Sequence, residues 1–142
     1  FESCTAWNPS NISSWDMSNV TRMNWMFFGA TSFNQPIGSW NTESLTKIDY
    51  MLYGATSFDQ NLANWDVTSI TANANMNAFL QNVTLSTANY DALLIGWEGQ
   101  SVDDDQTPHF GNSTYTAGGA AATARADLIS DHNWTITDGG TA

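Results

Sequence analysis

The chain has 142 residues, a length that suits one domain. Three Lys or Arg against 14 Asp or Glu give a formal net charge of −11, which excludes the clustered cations that nucleic acid or an anionic membrane surface requires. Hydrophobic residues make up 42% and aromatics 13%, so a core is available and an acidic disordered tail is excluded.

The polar remainder is Asn, Ser, Thr, Gly and Gln rather than charge, a composition expected of an extracellular or cell-surface protein. The single cysteine, Cys4, cannot form an internal disulfide. No apolar run reaches membrane-spanning length.

Residues 1–14 predict a partial N-terminal coil in which Trp7 and Ile12 supply the apolar contacts. From residue 15 the sequence repeats. Trp15, Trp40 and Trp65 are 25 residues apart. Gly29-Ala30-Thr31-Ser32-Phe33 returns as Gly54-Ala55-Thr56-Ser57-Phe58, and Val20, Leu45 and Ile70 align. Met26, Met51 and Met76 align at the same spacing. Three units are expected over 15–85, the third degenerate because Asn73 and Asn75 stand where apolar residues are expected.

Within a unit, Ile37, Trp40, Thr42 and Leu45 are spaced like the strand of a leucine-rich repeat. Trp40 and Thr42 are expected to point inward, and Asn41 and Glu43 outward. Leu45, Ile48, Met51, Leu52 and Ala55 follow helical spacing, and Gly54 reads as the stop. A 25-residue unit cannot bury its apolar face alone, but stacked units can. The expected fold is therefore an α/β repeat: a right-handed leucine-rich-repeat-like solenoid, with a parallel β-sheet on one face and helices on the other.

Residues 86–142 are expected to cap the stack as helix, loop, strand, helix and strand, in one domain overall. Tyr90, Leu93, Leu94 and Trp97 predict the first helix, with Ser86 or Thr87 as its N-cap. Ala120 to Ile129 predicts the second, and Trp134 to Thr137 the last strand.

The repeat pattern W-D-x-S-x-V-x-x-M-x-x-M-F-x-x-A-x-x-F-N-Q-x-I resembles the BspA-like leucine-rich repeats of bacterial and protist surface proteins, abundant in mycoplasma lipoproteins. The resemblance covers roughly residues 8 to 85. It implies a secreted or surface-anchored module, often adhesive.

Three surfaces are candidates for function. Asp16, Asn41 and Asp66, flanked by Ser18, Glu43 and Thr68, are expected on the concave strand face as an acidic ligand-binding surface. Two strand spacings put Asp16 and Asp66 about 10 Å apart, at or beyond the widest carboxylate gap of a glycosidase, about 9.5 Å. Trp25, Tyr50 and Tyr53, with Phe28, form a stripe on the predicted helix face that suits a sugar or protein partner, or packing between coils. Asp103, Asp104 and Asp105 offer carboxylates to Ca²⁺, though without EF-hand spacing.

Nothing points to catalysis. His109 and His132 lie in ordinary polar surroundings, and Cys4 has no basic neighbour in sequence. No G-x-S-x-G, P-loop or G-x-G-x-x-G occurs. The expected function is an extracellular binding or adhesion module for a protein, peptide or glycan, not an enzyme and without nucleic-acid partners or membrane insertion. The alternative is a structural unit of a surface filament or coat, in contact with neighbouring domains or copies.

Overall fold

The computed structural model describes the backbone of residues 1–142 and every side chain except that of Asn73, so the expectation placed on that side chain lies outside the described residues. Two α-helices are present: α1 (Thr87–Glu98) and α2 (Ala120–Ser130). Two short 3-10 turns cover Ile12–Ser14 and Asn73–Met76. The expected leucine-rich-repeat solenoid, with its parallel sheet and outer helices, is not what forms. The described residues contain no sheet, only three isolated parallel bridges, and neither full repeat contains a helix.

Backbone accounting gives the reason, because every buried amide needs a partner. Met23, Trp25, Phe27 and Gly29 donate to the carbonyls of Lys47, Asp49, Met51 and Tyr53 at 2.7–3.1 Å. Ile48, Tyr50, Leu52 and Gly54 donate in the same way to Asn75, Asn77, Phe79 and Gln81 at 2.8–3.1 Å. The amides between them turn back three residues: Met26 to Met23, Phe28 to Trp25, Ala30 to Phe27. Alternate amides thus leave for the next repeat, and a helix needs all of them. Left-handed backbone at Trp25 (φ 63°), Gly29 (67°), Tyr50 (57°) and Gly54 (71°) also breaks the helical path. We call these segments rows: the first over 22–29, the second over 47–54, the third over 75–82.

The face expected to be a sheet is built from tight turns. Trp40 donates to Ile37 and Leu45 to Thr42, each spanning three residues. Hydroxyls rather than amide pairs join the repeats here. Thr42 Oγ1 donates to the carbonyl of Asp66 at 3.1 Å and accepts from its amide at 2.7 Å. Trp40 and Thr42 are buried, and Asn41 and Glu43 exposed, so side chains alternate in and out although no strand forms.

The third repeat differs in length rather than merely in quality. The second row follows the first by 25 residues, Met23 to Ile48, but Met76 takes the place of Ile48, 28 residues on. Ile70 still donates to Val67, as Leu45 does to Thr42, so the three extra residues fall between Ile70 and Met76, at the second 3-10 turn. The partner of Met51 is therefore Phe79, not Met76. Both Phe79 and Met76 are buried.

The core runs unbroken through the stack, from Ile12 to Trp134. Trp15, Trp40 and Trp65 form a column, with ring centroids 6.4 and 6.3 Å apart and planes within 14°. The indole N–H groups of Trp40 and Trp65 donate to the carbonyls of Ile12 and Ile37 at 3.0 and 2.9 Å. Helix α1 then replaces a fourth repeat. It buries Tyr90, Leu93, Leu94 and Trp97, and packs against α2. The final segment shows no strand. It runs beside residues 106–115, with isolated bridges at His109 to Thr137 and Tyr115 to Thr141 and further backbone bonds such as Thr135 to Gln106 and Gly139 to Ser113.

Candidate functional site

The acidic candidates do not form an open ladder of acceptors. Each closes its own turn, as Asp and Asn do when the amide two residues on is free. Asp16 Oδ1 accepts from the Ser18 amide and hydroxyl at 3.1 and 2.7 Å. Asn41 Oδ1 accepts from the Glu43 amide at 3.0 Å. Asp66 Oδ1 accepts from the Thr68 amide and hydroxyl at 3.0 and 2.6 Å. The Ser18 hydroxyl and amide hold the Asp16 carboxyl below its usual range. One oxygen of each residue is thereby committed to structure.

Asp103, Asp104 and Asp105 turn to different partners. The Asp103 carbonyl accepts from the Trp134 indole, Asp104 Oδ1 lies 3.0 Å from His132 Nδ1, and Asp105 Oδ1 accepts from Asn133. Among the described residues no three His, Cys, Asp or Glu side chains come together as metal ligands.

The aromatic stripe forms two columns between the first and second rows. Trp25 stacks on Tyr50 at 4.4 Å with planes 15° apart, and Phe28 on Tyr53 at 4.8 Å and 11°. Trp25 and Phe28 also touch within their row at 4.8 Å. Trp25 is 38% exposed, and the other three are half-buried. In the third row Ala78 and Gln81 take the equivalent places, so the patch ends there. Two of the three cations of the chain flank it. Arg22 precedes Trp25 by three residues, Lys47 precedes Tyr50 by three, and the two are bridged neighbours. Lys47 Nζ holds the largely buried Asp49 carboxylate at 3.3 Å.

Two constellations escaped the sequence reading. One is a ladder of amide and carboxylate side chains. Asn8 Oδ1 accepts from the Asn34 amide and Gln35 Nε2 at 3.0 and 2.7 Å. Asn34 Oδ1 accepts from Asp59 and Gln60 at 2.9 and 2.8 Å. Asp59 Oδ1 then accepts from Ser86 and Asn89, which fastens α1 to the repeats. Partial burial pushes the Asp59 carboxyl up, but Asn89 and Ser86 outweigh it and leave it below its usual range. The recurring N-Q and D-Q pairs after Phe33 and Phe58 are its sequence signal.

The other is a polar knot. Asp138, its side chain 3% exposed, accepts from Tyr90 at 2.6 Å and from Arg125 at 2.7 and 3.2 Å. Arg125 also lies over the Tyr115 ring, 5.1 Å from its centre. No local motif announces this knot, since its members are up to 48 residues apart.

The geometry is that of a repeat protein stapled by indole and amide columns, with an aromatic patch on its surface. A family model described as Mycoplasma protein of unknown function, DUF285, matches residues 1–114, and the chain belongs to that family. The match includes all three rows and α1 and stops before α2. Neither curated proteins nor solved structures give a match. No helix among the described residues is long and apolar enough to cross a membrane.

Proposed function

We propose that this chain is a non-catalytic binding module displayed outside the cell, and that it holds a protein or glycan partner against the aromatic patch. The observation that carries this is the paired stacking of Trp25 on Tyr50 and Phe28 on Tyr53 at the surface, with Arg22 and Lys47 beside them on a chain of net charge −11. Stacked rings are held without further ordering cost and present apolar area to a partner. The likeness of the repeat sequence to BspA-like surface proteins supports the extracellular location, and the Asn-, Ser- and Thr-rich composition agrees with it. The turn-closing roles of Asp16, Asn41 and Asp66 make their face the weaker candidate.

A glycan and peptide array probed with three forms of the protein tests this. Trp25→Ser with Tyr50→Ser is expected to abolish the signal of the parent chain, and Asn41→Lys with Asp66→Lys to retain it. The reverse pattern would move the site to the acidic turns.

A further inference from the structure

The second row carries two rings whose two faces meet different neighbours. Toward the first row, Tyr50 is stacked on Trp25 and Tyr53 on Phe28. Toward the third row no ring meets either tyrosine. Tyr50 donates to Asn77 and Gly54 to Gln81, each at 2.9 Å, and this register sets Ala78 beside Tyr50 and Gln81 beside Tyr53. Ala78 has φ 52°, close to 63° at Trp25 and 57° at Tyr50, so its Cβ leaves the row in the same direction as theirs. A methyl group ends well short of a phenol ring. The outer part of the Tyr50 ring therefore projects past the third row as a ledge, and Ala78, 3% exposed, closes its foot.

The polar groups at the ledge are uncharged and unspent. Gln81 is half-buried, and no described residue hydrogen-bonds its side-chain amide or the hydroxyls of Tyr50 and Tyr53. Together they supply donors and acceptors suited to hydroxyl groups. The charges of the second row, Lys47 and Asp49, are paired with each other at 3.3 Å. The backbone offers nothing further. The Lys47, Asp49, Met51 and Tyr53 carbonyls accept from the first row, and the Ile48, Tyr50, Leu52 and Gly54 amides donate to the third. A peptide that binds by its backbone finds no partner here, whereas a sugar ring does. Its C–H face is apolar and its rim carries hydroxyls, which matches an aromatic face edged by a few placed polar groups. A chain of net charge −11 disfavours an acidic sugar.

We propose that this ledge binds a neutral glycan. One pyranose lies with its C–H face on the third-row side of Tyr50, and its hydroxyls meet the Gln81 amide and the two phenol groups. The inference rests on the aromatic patch as the partner surface, and narrows it to one class of ligand and to one side of the patch.

The test compares the parent chain with a variant carrying Ala78→Tyr and Gln81→Phe. These changes rebuild a ring pair in the third row, at a backbone angle that already carries Tyr in the second, and cover the ledge. Neutral oligosaccharides of glucose, galactose, mannose and N-acetylglucosamine are titrated, followed by Tyr and Trp fluorescence and by amide NMR spectra. The expected result is saturable binding of at least one of them, with changes centred on residues 50, 53, 78 and 81. The covered variant is expected to bind at least tenfold more weakly, and Gln81→Ala, which leaves the rings and the fold alone, at least threefold. No saturable change at millimolar sugar would overturn the proposal, as would equal binding by the covered variant and by Gln81→Ala. Binding of peptides or charged sugars alone, lost in Trp25→Ser with Tyr50→Ser, would overturn the ledge and leave the aromatic patch standing as the partner surface. Neutral-glycan binding that survives that double change would overturn both.

Discussion

The indole N–H of Trp97 donates to the carbonyl of Leu62 at 3.1 Å, the bond that Trp40 makes to Ile12 and Trp65 to Ile37, although Trp97 stands on a helix and the others in turns. Its ring continues the core column through Phe79, 6.0 Å away, which itself lies 6.3 Å from Trp65. Helix α1 is thus tied to the repeats by the device that ties the repeats to each other. Trp97→Phe keeps an aromatic ring but leaves the Leu62 carbonyl only the Trp65 amide at 3.1 Å, and is expected to cost about 1–3 kcal/mol. The shift in the urea midpoint measures it, with an unchanged slope showing that the fold persists.

The amide ladder makes a separate prediction. Asn34→Ala removes an acceptor of two bonds from the second repeat and leaves its amides to find water. A loss of about 1–3 kcal/mol is expected. Asn34→Asp keeps the acceptor oxygen, as Asp59 does naturally one repeat on, and is expected to lose less. Equal losses would show that the ladder is incidental.

The knot around Asp138 sets how stability depends on pH. Burial pushes its carboxyl up, but Arg125 and Tyr90 outweigh that and hold it below its usual range. A depressed carboxylate contributes stability above its unfolded value, about 3.9, and that contribution is lost as pH falls through the folded value. Tyr90 shifts the other way, raised by burial and by the Asp138 carboxylate. Its contribution is present below the unfolded value, about 10, and fades as pH rises beyond it. Asp138→Asn is expected to flatten the acid limb of a melting-temperature profile, and Tyr90→Phe the alkaline limb. Arg125→Met leaves the carboxylate buried with one partner fewer, at a cost of about 3 kcal/mol at neutral pH.

Glycines at left-handed positions separate conformational strain from collision. At Gly54 (φ 71°) a Cβ would meet only ordinary contacts, 3.8 Å from Gly29. Gly54→Ala therefore carries the backbone penalty alone, about 1–2 kcal/mol. At Gly111 (φ 70°) a Cβ would fall 1.9 Å from the Val83 carbonyl oxygen and 2.6 Å from that of Leu80. Gly111→Ala is expected to destabilise at least twice as much. Thermal melts of the two variants side by side decide the point.

Much of the packing is legible in the sequence. The spacing of Leu45, Ile48, Met51, Leu52 and Ala55 marks one apolar face, and all five are fully buried. Their spacing does not distinguish a helix from a row, because both bring residues three and four apart to one side. What decides is whether alternate amides have carbonyls to reach in the next repeat, and a single repeat read alone contains no sign of that. The expected sheet does not form for a related reason. In-and-out alternation at Trp40, Asn41, Thr42 and Glu43 is real, but Asn41 and its equivalents close turns instead of extending a strand. The matched positions of the aromatic stripe are legible in the sequence, but it lies on two rows and not on the expected helix face. The Asp138 knot is not legible, since contacts across so long a span leave no periodic trace.

The three extra residues before Met76 have a wider meaning. They enter where no amide of the third repeat reaches the second, so the lateral bonds on either side keep their pairing while the connecting chain lengthens. Unit length is thus set by where the bonds fall and not by residue count. At the corresponding corner of the second repeat the Thr46 amide donates to the Thr21 carbonyl at 2.8 Å, so an insertion there would break a lateral bond, but between Ile70 and Met76 insertions are expected to pass without disturbing the core. Evolution is free there to vary a loop while the stack is inherited unchanged.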